Sequence, residues 1–220
     1  MPVPPGVVLM GDPRVTSLAA VDNGEPLVDV RDLGLHVHPD KSQRHPDYFL
    51  LRAGVAERLG QARRLLPEPY GLLIIEGYRP FAVQEAAFDR HRRRLADADP
   101  SLSDHDVFMA ASQYVSPPAV APHVSGAAVD LTLVDESGTR LDMGTEVDAT
   151  PEESGGACYF AATSISETGR RHREVLAAAL GGAGLVNYPT EWWHWSYGDR
   201  YWALVTGAPE AIYGPVGSCA

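Results

Sequence analysis

Glu191 and His194 stand three positions apart inside a run of tryptophans, Trp192, Trp193 and Trp195. A carboxylate and an imidazole in such apolar company are costly unless a metal or a proton-transfer role retains them. A second pair, His123 and Asp130, lies upstream across Val124-Ser125-Gly126. Taken alone, His123 reads as a hydrogen-bonded loop histidine and Asp130 as the partner of an arginine. Set beside the first pair, they supply two histidines and a carboxylate, the ligand set of a catalytic zinc that keeps its fourth position for water. The expectation is one zinc per chain held by His123, Asp130 and His194. Glu191 is left unligated as the general base: zinc lowers the pKa of water towards neutrality, and the carboxylate takes the proton and later returns it to a leaving amine. Arg79, in Glu76-Gly77-Tyr78-Arg79-Pro80, has two readings. A guanidinium at a strand-to-helix junction could hold an oxyanion, or it could be a surface arginine paired with Glu76.

These residues need elements to carry them. Ala127 to Val134 alternates and is β-branched, with Asp130 sharing a face with Ala128 and Thr132 while Val129, Leu131 and Leu133 take the other. After the turn at Asp135-Glu136-Ser137-Gly138, Thr139 to Asp142 is expected to return as a hairpin. Ser125-Gly126 lets the chain bend so that His123, at the strand mouth, converges on Asp130. Residues three apart on a regular strand face opposite sides, so Glu191 must lie in the turn after Pro189, with His194 entering from a strand. Leu72 to Ile75 reads as a strand buried on both faces. Helices are expected from Tyr48 to Leu66, from Phe81 to Ala98, from Asp104 to Tyr114 with Ser103 as N-cap, and from Ser166 to Leu180. The first 45 residues alternate short apolar runs, Val7 to Met10 and Leu27 to Val30, with Pro, Gly and Asp, and read as irregular strands wrapping a catalytic core over residues 48–197. The fold class expected is α+β: one domain over residues 1–220, with a small, mostly antiparallel sheet and helices packed on it.

Composition narrows the function. At 220 residues, 45% hydrophobic and 21% charged, the chain can bury a core without disulfides. Only Met1 to Gly6 looks loose. With 18 basic residues scattered among 29 acids and a formal charge of −11, it lacks the positive footprint of a nucleic-acid binder. His91-Arg92-Arg93-Arg94 reads as a solvated helix face beside Asp97 and Asp99. Cys158 and Cys219 imply no disulfide framework. With no apolar run of membrane length and no signal-like start, the expectation is a cytoplasmic protein with no membrane partner.

Taken together, Glu76 to Pro80, His123 through Gly126 to Asp130-Leu131-Thr132-Leu133, Met143-Gly144-Thr145 through Asp148, and Glu191 to His194 resemble the zinc D-alanyl-D-alanine dipeptidases of the vancomycin-resistance type, within the zinc D-Ala-D-Ala peptidase family. The pieces stand in the family's order over roughly residues 48–197. The resemblance implies His123, Asp130 and His194 as zinc ligands, Glu191 as base, Arg79 as transition-state stabiliser and Asp148 as the partner of the substrate's free amino group. It implies hydrolysis of D-Ala-D-Ala or a similar small dipeptide. Where better-known members carry serines before the first histidine to hold the substrate carboxylate, this chain has Ala121-Pro122. A D,D- or L,D-carboxypeptidase of longer wall peptides and an idle zinc-binding module of the same fold remain as alternatives. Ser154 to Thr163 matches no role.

Overall fold

The computed structural model of the chain describes residues 4–44, 46–112 and 115–217. Cys219, Tyr114 and the first residues of the loose start expected over Met1–Gly6 lie outside them. The strands are β1 (Leu27–Asp29), β2 (His36–Val37), β3 (Leu50–Arg52), β4 (Gly71–Glu76), β5 (Ala128–Val134), β6 (Val186–Asn187) and β7 (His194–Ser196). The helices are α1 (Pro13–Thr16), α2 (Pro39–Arg44), α3 (Ala53–Leu65), α4 (Phe81–Ala98), α5 (Asp104–Ala111), α6 (Pro151–Ser154), α7 (Glu167–Gly182) and α8 (Arg200–Thr206).

The α+β class is as expected, but the main sheet is larger and mixed. Its five strands run in the order β2-β4-β5-β7-β6, with β2 parallel to β4 and the other neighbours antiparallel. A strand as short as β2 carries no alternation to read, which is why its parallel pairing escaped the pattern. β1 and β3 form a separate antiparallel ribbon. Of the two early runs read as irregular strands, Leu27–Asp29 is β1, whereas Val7–Met10 forms none.

β5 is buried along its whole length. Val129, Leu131 and Leu133 on one face join Leu72 and Ile74 of β4 in a core closed by Val55, Leu59 and Ala62 of α3 and by Leu176, Ala179 and Leu180 of α7. Each fully buried leucine contributes roughly 1.5–3 kcal/mol, and together they fix the strand that carries Asp130 on its other face.

Two expectations need correction. The helix read from Tyr48 begins only at Ala53, because residues 46–49 form a 3₁₀ turn and Leu50–Arg52 is β3. Leu51 is fully buried as a strand residue, so it satisfied a helical pattern without being in one. The hairpin return is also shorter than expected. Asp135 N–H donates to Thr139 and Leu141 N–H to Leu133, both at 3.0 Å, with a single bridge between Val134 and Arg140. Further along the same edge Leu131 already donates to Trp193, and β7 takes the rest. α4 has the expected bounds, Ser103 caps α5, and Ser166 caps α7, which runs on to Gly182.

Candidate functional site

Asp130 and His194 are directly opposite each other across β5 and β7, on the face turned away from α3 and α7. His123 reaches them from the 3₁₀ turn Pro122–Ser125, which ends at Gly126 with φ of 69°. A side chain at position 126 would be strained by that φ, and its Cβ would stand 2.5 Å from Leu27 Cδ2, so only glycine fits. The turn is held from both sides. Arg79 N–H donates to the His123 carbonyl at 3.1 Å, and Arg52 Nε donates to the Ser125 carbonyl at 2.8 Å.

His123 Nδ1 lies 2.7 Å from the Gly77 carbonyl, which can only accept, so Nδ1 carries the proton and the Nε2 lone pair is free. That Nε2 is 3.2 Å from His194 Nδ1 and 3.4 Å from Asp130 Oδ2, while His194 Nδ1 is 3.0 Å from Asp130 Oδ1. One donor atom from each residue thus lies within 4.8 Å of the others, and all three side chains are buried. Burial pushes the Asp130 carboxyl up, but the two histidines outweigh it and hold the group well below the usual carboxylate range. Burial opposes charge on His123, and Asp130 outweighs that in turn. The lone pairs that meet here outnumber the protons available to them, an arrangement that a divalent cation at their centre would satisfy. His123, Asp130 and His194 therefore fit a metal ion.

Glu191 lies off the strand, as the three-residue spacing requires. Its N–H donates to the Tyr188 carbonyl at 2.9 Å, and its own carbonyl accepts from His194 N–H at 3.1 Å. Its Oε2 is 3.9 Å from His194 Nδ1. Although 33% of its side chain faces the cavity, the surrounding protein pushes its carboxyl up to about 7, with His194 pulling the other way.

Arg79 does pair with Glu76, through Nε, but from a largely buried position rather than at the surface, and it lines the cavity. Burial opposes its charge, but Glu76 outweighs that and holds the pKa above the ordinary arginine value. Gln84, in the first turn of α4, accepts from Arg79 Nη1 at 2.7 Å and donates to the Ser116 carbonyl at 2.7 Å. Nothing in the sequence singled out Gln84, since a glutamine in a helix is ordinary.

Asp148 lies at the same cavity with φ of 65°, and its carboxylate pairs with Lys41 Nζ at 3.3 Å. Ala121 and Pro122 line the cavity and bring no hydroxyl, and the Ser125 hydroxyl is spent on the Pro122 carbonyl. The cavity encloses about 280 Å³ and brings together all six residues named from the sequence.

The segment that matched no role buttresses the turn that carries Glu191. Trp192 N–H donates to the Cys158 carbonyl at 3.1 Å, and Phe160 N–H donates to the Pro189 carbonyl at 2.9 Å. Arg173 of α7, fully buried, binds this segment to the core through the carbonyls of Ala157, Tyr159, Phe160 and Met143. With burial outweighing its neighbours, its pKa falls to about 10. Nothing in the sequence singled out this inward arginine.

Comparison with known proteins gives consistent results. The family model described as D-ala-D-ala dipeptidase matches residues 46–207. The "D-alanyl-D-alanine dipeptidase" of Synechocystis sp. (strain ATCC 27184 / PCC 6803 / Kazusa) is 34% identical over 213 residues, 83% of this chain and 85% of that protein. The protein of the same name from Escherichia coli (strain K12) is 34% identical over 124 residues, 56% of this chain and 53% of that one. A solved structure of the LdcB LD-carboxypeptidase superposes with a TM-score of 0.51 at 16% identity, covering 96% of this chain and 90% of that one, a likeness of fold. Among the described residues no helix is long and apolar enough to cross a membrane. The family model spans most of the chain and the Synechocystis relative is matched over most of its own length, which makes the chain a member of the D-Ala-D-Ala dipeptidase family of peptidases.

Proposed function

We propose that the chain hydrolyses D-alanyl-D-alanine or a similar D-dipeptide with one zinc ion held by His123 Nε2, His194 Nδ1 and the Asp130 carboxylate. The observation that carries this reading is the convergence of those three buried donors at a cavity that Glu191 and Arg79 also line. Zinc in that position supplies a Lewis acid that polarises the scissile carbonyl and makes water easier to deprotonate. Glu191 takes a proton from the attacking water and delivers it to the departing amine. Arg79, held by Glu76 and Gln84, faces the negative charge that develops on the carbonyl oxygen. An idle zinc-binding module needs neither an unligated carboxylate nor a guanidinium beside its donors. At about 280 Å³, the cavity lies just below the ~300–1,000 Å³ typical of ligand pockets.

Asp148 supports the choice of a free dipeptide. Its present partner is the Lys41 ammonium, and a substrate ammonium can take that place, whereas an amide in a longer chain cannot. The test is kcat/KM for D-Ala-D-Ala against its N-acetylated form, in the parent and in Asp148→Ala. The parent is expected to prefer the free amine by at least tenfold, about 1.4 kcal/mol, and the variant to lose that preference. A parent that cleaves both forms equally well is a carboxypeptidase instead.

Arg79→Ala is expected to lower kcat by about 100-fold with a smaller change in KM, as loss of an oxyanion donor does. Steady-state kinetics decides it, and a change confined to KM makes Arg79 a substrate-binding residue. Because Glu76 is buried and loses its cation in this variant, thermal unfolding is followed alongside.

A further inference from the structure

Behind the three-donor cluster, two buried polar atoms have no hydrogen-bond partner: Nε2 of His194 and Oδ2 of Asp199. Their side chains lie on one side of the sheet. His194 and Ser196 are two apart on β7 and share a face, and Ser196 Oγ donates to Asp199 Oδ1 at 2.8 Å. That same oxygen accepts Trp202 N–H at 2.9 Å as the N-cap of α8, so both known contacts fall on Oδ1 and none on Oδ2. Opposite Ser196 in register is Ala128, the smallest side chain on that face of β5. Both residues are almost fully buried, His194 at 4% and Asp199 at 3% exposure.

The two atoms are complementary. With Nδ1 of His194 serving as a metal ligand beside Asp130 and His123, the ring proton belongs on Nε2 and needs an acceptor. The rings of His123 and Tyr188 pack edge-on against His194, and neither supplies one to Nε2. Capping explains Oδ1 but not the second oxygen or the charge, since a serine caps a helix as well as an aspartate does. We infer that Asp199 is a positioning residue of the metal centre, accepting the Nε2 proton of His194 across one bridging water and so holding Nδ1 in its ligating orientation. Metal-bound histidines commonly depend on such an outer carboxylate. This inference rests on the metal reading proposed above.

The test uses the whole chain and two substitutions. Asp199→Asn keeps the cap and the Ser196 contact but removes the charge, and Asp199→Ser keeps only the cap. Zinc dissociation constants are measured by competition with a chelator, and unfolding temperatures of the metal-free proteins by calorimetry. The parent is measured first, because a parent that holds no zinc defeats the metal reading itself. Both variants are expected to bind zinc about 10–100-fold more weakly with metal-free unfolding close to the parent's. Zinc affinity within twofold of the parent's in a folded variant overturns the inference. So does a loss of affinity that merely tracks a loss of metal-free stability across the two variants, which assigns Asp199 to the helix cap alone.

Discussion

Glu191→Gln is expected to retain its zinc and lose hydrolysis by about 10²–10⁴-fold, the usual range for removing a general base. The amide has nearly the shape of the carboxylate and accepts hydrogen bonds, but it cannot take a proton. Glu191 is held by main-chain contacts to Tyr188, Asn187 and His194, none of which involves its carboxylate, so the turn survives the change. Elemental analysis and turnover of D-Ala-D-Ala on the same preparation are the measurements, and comparable turnover moves the base elsewhere. The parent's pH profile is a second check. Burial holds the carboxyl up at about 7, and a divalent cation among the neighbouring donors draws it down again. The base works only when ionised, so kcat/KM is lost as pH falls through that pKa, and the acid limb lies below pH 7.

His194→Ala is expected to weaken zinc binding by more than the ~10–100-fold that loss of an outer-shell partner costs. It removes one of three donors, and it leaves Asp130 with a single histidine to offset its burial. Chelator competition measures the effect. A variant that binds zinc as tightly as the parent would exclude His194 from the ligand set. The same substitution on the strand face opposite α3 and α7 leaves the main core untouched, so the metal-free fold is expected to persist.

The parts of this molecule that the sequence made legible are those governed by local chemistry. Pro80 before Phe81 and the Asp99-Pro100 stop bound α4, Ser103 caps α5, and the apolar run at Leu72–Ile75 has to be a buried strand. Glu191 and His194 stood out because ionisable groups among tryptophans need a reason, and their spacing forced one of them off the strand. Pairing between distant segments was not legible. Leu50–Arg52 becomes a strand only because β1 lies beside it, and β2 becomes one only because β4 offers an edge. The supports of the site were hidden for the same reason. Gln84 and Arg173 act through carbonyls far along the chain, and no local pattern distinguishes them from ordinary helix residues.

The arginine that steadies the His123 turn also sets a timetable for biosynthesis. Arg52 is bound to Asp22, to the carbonyls of Glu25 and Ser125, and to the carbonyl of Gly214, while Asp22 in turn accepts from Gly214 N–H across 192 positions. At ribosomal speeds of ~5–20 residues per second, Asp22 waits roughly 10–40 s for that partner to be made. The shelf under His123 is therefore finished only once Gly214 has been made, after both His123 and His194. A nascent chain released before Gly214 lacks the last acceptor for a buried guanidinium. Its cluster of donors then stands on an incomplete shelf.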